Sequence, residues 1–247
     1  MSRIIMVSLI FVISALPNLA EELPAPGKQV EMTLGDAEGD VDYLIYLPAQ
    51  YGQEKDTAWP LVLFLHGRGE SNGPLSLVAK WGPPKFAQRG DSLPFILVSP
   101  QCPKEGQWRD DTRHRQLNRL LEAVTDLCHV DEDRIYLTGL SMGGYGSWTL
   151  AAKYPNRFAA VVPVCGGGDP QHADKLKSLP IWAFHGDQDR AVPFRKSVEM
   201  IDAIRGAGGT KVRFTSLEHV GHNCWSSTYA MPELYSWMLK QRASANR

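Results

Sequence analysis

The sequence predicts an α/β protein built on one open, mostly parallel sheet with helices on both faces. Three observations carry that expectation. Short runs that are apolar throughout recur along the chain, as strands buried on both faces do. Between them lie segments whose apolar residues return at three- and four-residue steps, the helical period. The two kinds of segment alternate, which is the pattern of parallel strands joined by crossover helices.

The chain opens on a different kind of segment. Arg3 precedes an apolar run from Ile4 to Leu16, and small or polar residues follow up to Ala20. This is the layout of a secretory signal peptide, and the run is short for a membrane span. A buried strand or an uncleaved anchor are the other readings. The expected organisation is a leader over 1–20 and a single domain over 21–247, secreted or periplasmic, with no membrane span once the leader is removed. Asn18 is a poor residue three places before a cut after Ala20.

The elements then follow in order. Tyr43 to Leu47 is a short strand after a Gly/Asp turn. Leu61 to Leu65 is a solid apolar run ending in His66-Gly67. Phe95 to Val98 ends in Pro100, and Arg134 to Thr138 ends in Gly139. Phe158 to Val164 leads into a run of three glycines, Ile181 to Phe184 ends in His185-Gly186, and Lys211 to Leu217 is the last strand. Leu117, Leu120, Leu121, Val124 and Cys128 make one apolar helical stripe, with Asp111 or Thr112 as its cap. Met142 to Tyr154 is helical and stops before Pro155. Pro193 to Ala207 begins with proline and ends in Gly208-Gly209, and Met231 to Gln241 closes the chain.

Composition narrows the function classes. With 247 residues, 43% hydrophobic and 21% charged, the chain reads as an ordinary globular protein with room for one large core. Lys and Arg number 26 against 27 Asp and Glu, so the basic excess of a nucleic-acid binder is missing, and a strongly ionic substrate is not expected. The four cysteines, Cys102, Cys128, Cys165 and Cys224, allow three complete pairings, which sequence does not choose among. Cys128 falls on an apolar helical face and is expected as a buried thiol. With no CxxC pair and no HExxH, no metal site is expected.

The residues that suggest chemistry sit just after strands, where open parallel sheets bind ligands. Gly139-Leu140-Ser141-Met142-Gly143 fits G-x-S-x-G, follows a strand and opens a helix. A serine lifted clear of the sheet needs a sharp, strained turn, and the residues two places to either side come close enough to require glycine. A serine hydroxyl needs a base, and the base an orienting carboxylate. Downstream, the candidate acids are Asp169, Asp187 and Asp189, and the candidate histidines are His172, His185, His219 and His222. Asp189, at the tip of the loop between His185 and Pro193, is preferred to Asp187, which is expected to bond turn amides. His222 is preferred to His219, and His185 is expected to be structural. The oxyanion donors are expected to be the Met142 N–H and an N–H of the His66-Gly67-Arg68-Gly69-Glu70 loop, Arg68 ahead of Gly67. His66 is read as fixing that loop, and Arg68 with Glu70 as a surface ion pair.

With these residues in place the chain resembles the α/β-hydrolase superfamily. More narrowly, it is similar to the secreted esterases of the dienelactone-hydrolase and feruloyl-esterase type, a group with a peptidase-like label. The resemblance runs from Glu31 to Gln241. It rests on Leu65-His66-Gly67-Arg68-Gly69-Glu70, Pro100-Gln101-Cys102-Pro103, Gly139 to Gly146, Cys165-Gly166-Gly167-Gly168-Asp169, His185 to Asp189, and Gly221-His222-Asn223. It implies an acid at Asp189 and a base at His222. No metal or organic cofactor is expected, since such a triad and oxyanion hole supply the proton transfers and charge stabilisation. Cys224 departs from the pattern, where a small polar residue is expected. Trp81, Trp108 and Trp225 fall in loops expected to border the cleft and are candidates to stack on a sugar or phenolic ring. The implied function is a serine carboxylesterase acting on short-acyl or aromatic esters, free or linked to polysaccharide. The alternative is a serine peptidase of the prolyl-oligopeptidase type.

Overall fold

In the computed structural model, which describes residues 23–243 apart from 36, 55–56 and 72, eight strands follow one another along the chain. They are β1 (Gln29–Leu34), β2 (Val41–Tyr46), β3 (Trp59–Leu65), β4 (Ile96–Pro100), β5 (Val130–Leu140), β6 (Ala160–Val164), β7 (Ile181–Gly186) and β8 (Val212–Leu217). All join one sheet in the order β1-β2-β4-β3-β5-β6-β7-β8. β1, β2 and β4 pair antiparallel, and every pairing from β4 through β3 to β8 is parallel. Seven of the strands lie where the apolar runs place them. β1 is additional: it alternates polar and apolar residues, and Met32 is its one fully buried residue. The leader expected over 1–20 lies outside the described residues.

The apolar strands are apolar throughout because both of their faces are covered. β4, β6 and β7 are buried at every position. Successive side chains of a strand point to opposite faces. Accordingly Leu61, Leu63 and Leu65 of β3 join one core, and Val62 and Phe64 join the other. The first core holds Leu117, Leu120, Leu121 and Val124 of α2 (Asp111–Leu127), together with α3 (Met142–Lys153) and α5 (Arg195–Gly206). The second holds Ala87 of α1 (Gly82–Gln88), Tyr229 of α6 (Trp225–Tyr229), and Leu234 and Met238 of α7 (Pro232–Met238). A single-turn helix, α4 (Ala173–Leu176), completes the set.

Several boundaries differ from expectation. The residue capping α2 is Asp110, one place ahead of Asp111, and its carboxylate accepts from the Gln107 N–H before the helix (2.7 Å). Asp111 instead pairs with Lys153 of α3. α1 carries Pro83 and Pro84 in its first turn, where the missing N–H groups have no intrahelical partner to lose. The closing helix is shorter than expected and is preceded by the separate turn of α6. Among the described residues no helix is long and apolar enough to cross a membrane. All four cysteines are free and buried.

Candidate active site

The site begins where β5 stops. Ser141 follows the strand with φ 53° and ψ −113°, a conformation that costs a non-glycine residue about 1–3 kcal/mol. Its N–H donates to the Val164 carbonyl (2.9 Å), and its carbonyl accepts from Tyr145 N–H (3.0 Å). The turn also needs its glycines. A β-carbon at Gly139 would overlap the Gly143 carbonyl, and one at Gly143 would overlap the Leu65 carbonyl. The elbow is therefore pressed onto the end of β3, and the loop after β3 is held against Ser141.

β7 and β8 bring Asp189 and His222. Asp189 sits in the loop after β7 with its side chain fully buried. Its Oδ1 accepts from the N–H groups of Ala191 and Val192, both at 2.9 Å. Its Oδ2 lies 2.7 Å from His222 Nδ1. On the other side of the imidazole, His222 Nε2 lies 2.9 Å from Ser141 Oγ. With the proton on Nδ1 donated to Asp189, Nε2 presents its lone pair to the Ser141 hydroxyl. The loops that carry Asp189 and His222 touch directly. Gln188 N–H donates to the Val220 carbonyl (3.0 Å), and a β-carbon at Gly186 would overlap that same carbonyl.

The structure therefore brings Ser141, Asp189 and His222 together. Asp187 is exposed, and the turn amides expected for it are bonded by Asp189. His219 has φ 59° and faces Gln188 on the surface (Nδ1 to Nε2, 3.2 Å). His185 is buried, 2.7 Å from Ser197 Oγ and 3.0 Å from the Val192 carbonyl. Its Nε2 also lies 3.2 Å from Asp189 Oδ2, so it buttresses the acid loop. Burial holds the His185 pKa below the usual imidazole value. Asp169 accepts from Gln171 N–H in its own turn.

Met142 is the first residue of α3, and Arg68 is the first residue of a short 3₁₀ turn, Arg68–Glu70. By position, neither N–H has a partner within its own helix. Both residues line a cavity of about 300 Å³ together with Ser141, Trp108, Arg109 and Tyr145. The loop carrying Arg68 is fixed from several sides. His66 Nε2 accepts from Cys102 N–H (2.9 Å), its Nδ1 lies 2.6 Å from the Gly67 carbonyl, and Trp108 Nε1–H donates to the His66 carbonyl (2.9 Å). Burial pushes the His66 pKa down to about 4, so the ring stays neutral at pH 7. The expected Arg68–Glu70 ion pair does not form. The Arg68 guanidinium donates to the carbonyls of Lys104 (3.0 Å) and Gly106 (2.9 Å), while Glu70 is buried with its carboxyl pKa raised by desolvation.

The tryptophans divide. Trp108 lines the cavity but is only 2% exposed, so it packs beneath the loop and has no free face for a sugar. Trp81 and Trp225 meet edge to face at 5.9 Å, and Trp225 meets His222 the same way at 5.2 Å. One contact was missed in the sequence. Cys165, at φ 41°, places its Sγ within 4.8 Å of ligand atoms of Asp189 and His222. Three potential metal ligands meet there. However, the His222 and Asp189 atoms already bond one another, and burial drives the Cys165 pKa up, keeping the thiol protonated.

Residues 36–224 match the model of the family named Esterase. The chain belongs to the Esterase family. Its fold is that of the α/β-hydrolases, and by family it is classed with the serine carboxylic ester hydrolases. A solved thermostable esterase is similar over 88% of this chain and 64% of its own, at 31% identity and TM-score 0.76. The protein named "Probable feruloyl esterase C" of Aspergillus niger is 25% identical over 240 residues, covering 92% of this chain and 85% of its own. The bifunctional acetylxylan esterase/xylanase XynS20E of Neocallimastix patriciarum is 25% identical over 167 residues. That match covers 63% of this esterase, which spans 22% of the larger protein.

Proposed function

We propose that this esterase hydrolyses short-acyl or aromatic carboxylic esters, of the acetyl or feruloyl type, through an acyl-enzyme on Ser141. The observation that carries this reading is the unbroken line from Asp189 Oδ2 through His222 to Ser141 Oγ, at 2.7 and 2.9 Å, opening on a cavity that Arg68 and Met142 also line. Ser141 Oγ attacks the acyl carbon as His222 Nε2 takes its proton. The oxyanion is held by the N–H groups of Met142 and Arg68. The bond to the alcohol breaks as His222 returns the proton to the leaving oxygen. Water, deprotonated by His222, then releases the acid and restores Ser141. No metal or organic cofactor is needed for these steps. The names of the acetylxylan and feruloyl relatives support a substrate linked to polysaccharide.

In this reading residues 21–247 form one catalytic domain, exported by the leader over 1–20 and cut near Glu21. Mass spectrometry of the native protein is expected to find an N-terminus near Glu21, and an intact Met1 or Ser2 terminus in the cytosol would overturn export. A fluorophosphonate probe is expected to label Ser141 and to spare Ser141→Ala, which should fold yet lose activity by about 10⁴-fold or more. Turnover is then compared on p-nitrophenyl acetate, butyrate and octanoate, methyl ferulate, and a peptidyl anilide. Acetate or ferulate is expected to lead, and faster turnover of the anilide than of every ester would replace the esterase with a peptidase.

A further inference from the structure

The net charge of the whole chain is −1, but its charge is not evenly spread around the cleft. The cavity that holds Ser141 is lined by two arginines, Arg68 and Arg109, and by no carboxylate. Arg68 is tied to the carbonyls of Lys104 and Gly106. Arg109 is exposed and makes no ion pair among the described residues. It also lines a second cavity of about 300 Å³, together with Asp111, Lys153, His172 and Lys175. The one acid of that second cavity, Asp111, is paired with Lys153. Lys175 is exposed and, like Arg109, has no anionic partner among the described residues. Among the lining residues three cations stand against one acid, and even with Asp110, which lies within electrostatic reach of His114, the balance stays positive. His114, which also lines this cavity, adds none at neutral pH, because burial holds its pKa down to about 4.

We infer that the cleft continues past Arg109 into a basic subsite that takes a carboxylate carried by the substrate, so that the preferred ester sits on an acidic oligosaccharide. The inference rests on the esterase reading above and names its substrate class. A small ester fills the first cavity alone. A substrate that reaches both must extend past Arg109, and on the far side it meets cations and the hydroxyl of Thr149. An extended, hydroxylated chain with carboxylates spaced along it meets those requirements. The planar guanidinium of Arg109 is suited to bidentate carboxylate contact, and Lys175 adds a second, point-like charge. The low charge of the whole chain conceals this pattern, so the sequence expectation of a substrate without strong ionic character is set aside for this end of the cleft.

The test compares kcat/KM on two acetylated xylooligosaccharides of equal length, one neutral and one bearing a glucuronate branch. At low salt the acidic substrate is expected to be preferred by roughly tenfold. The preference is expected to fall toward unity at about 0.5 M NaCl, where screening shortens the reach of exposed charges. It is expected to fall in the same way in the Arg109→Ala/Lys175→Ala variant, whose substitutions are both at exposed positions. Equal kcat/KM on the two substrates in the wild type, or a preference kept in the double variant, would overturn the subsite. Wild-type turnover of p-nitrophenyl acetate separates the two levels. Hydrolysis of that ester without an acidic preference removes the subsite alone, and no hydrolysis of it removes the esterase reading.

Discussion

Asp189 divides its two carboxylate oxygens between its own loop and His222. Oδ1 holds the turn amides of Ala191 and Val192, and Oδ2 faces His222. Substitutions can separate these roles. Asp189→Asn is expected to keep the turn through its remaining carbonyl oxygen while losing about 10³–10⁴-fold in kcat, with a melting temperature close to that of the wild type. Asp189→Ala is expected to lose the turn as well and to melt lower, so thermal scans beside steady-state kinetics distinguish the two. Gly143 supplies a purely steric test. A β-carbon there would overlap the Leu65 carbonyl, and Gly143→Ala is expected to lower stability by about 3 kcal/mol or more. A urea midpoint equal to wild type would refute that clash. The elbow could be read from the sequence because its constraint is local, a strand followed by glycines around a serine. Cys165 and Glu70 could not be read in the same way. What they touch depends on segments brought together only by the fold.

At the level of elements, the loop after β3 carries the Arg68 amide, and several contacts hold it. Arg68→Ala keeps that amide but removes the guanidinium bonds to Lys104 and Gly106. The variant is expected to lose about tenfold in kcat/KM on p-nitrophenyl acetate, in line with hydrogen bonds from a charged donor worth about 1.5–3 kcal/mol. A wild-type value would mean that the turn holds itself. The elements that sequence identified best are those buried on both faces, such as β3, β4 and β7, because burial imposes an unbroken apolar run. β1 was not identified, since it is a half-exposed edge with no such run. α1 was not identified either, since its two prolines look like an interruption although they occupy the one turn that tolerates them. The α2 cap was misplaced by one residue because three acceptors, Asp110, Asp111 and Thr112, stand in a row, and only the contacts with Gln107 and Lys153 separate them.

For the whole molecule, acid is expected to weaken the fold before it protonates most carboxylates. His66 and His114 have folded pKa values of about 4, and that of His185 is lowered in the same direction, with burial the largest cause in each case. Once unfolded, each ring binds a proton near pH 6.5. Between about pH 6.5 and 4 the unfolded chain therefore holds more protons than the folded one. Stability falls as pH falls through that window, by up to about 1.4 kcal/mol per pH unit for each of His66 and His114, and His185 acts in the same direction. Glu70, whose pKa is raised, opposes this, one group against three. Urea midpoints measured at pH 6.5 and 4.5 are expected to drop at the lower value, and equal midpoints would show that these rings protonate in place.

The sheet order also bears on when the molecule is expected to become active. The turn around Ser141 takes its backbone contact from Val164 of β6, but His222 lies 81 residues beyond Ser141, after β8, which pairs with β7 at the edge of the sheet. On the proposed mechanism, a chain still lacking β8 and the loop after it is expected to be latent. A chain that stops before β8 carries Ser141 and the amides of Arg68 and Met142, but not His222. Nascent chains arrested at increasing lengths are expected to stay silent to a fluorophosphonate until the segment containing His222 is free to fold, and labelling of a chain ending before β8 would contradict this. A partly made copy is therefore expected to be a far weaker catalyst than the finished fold.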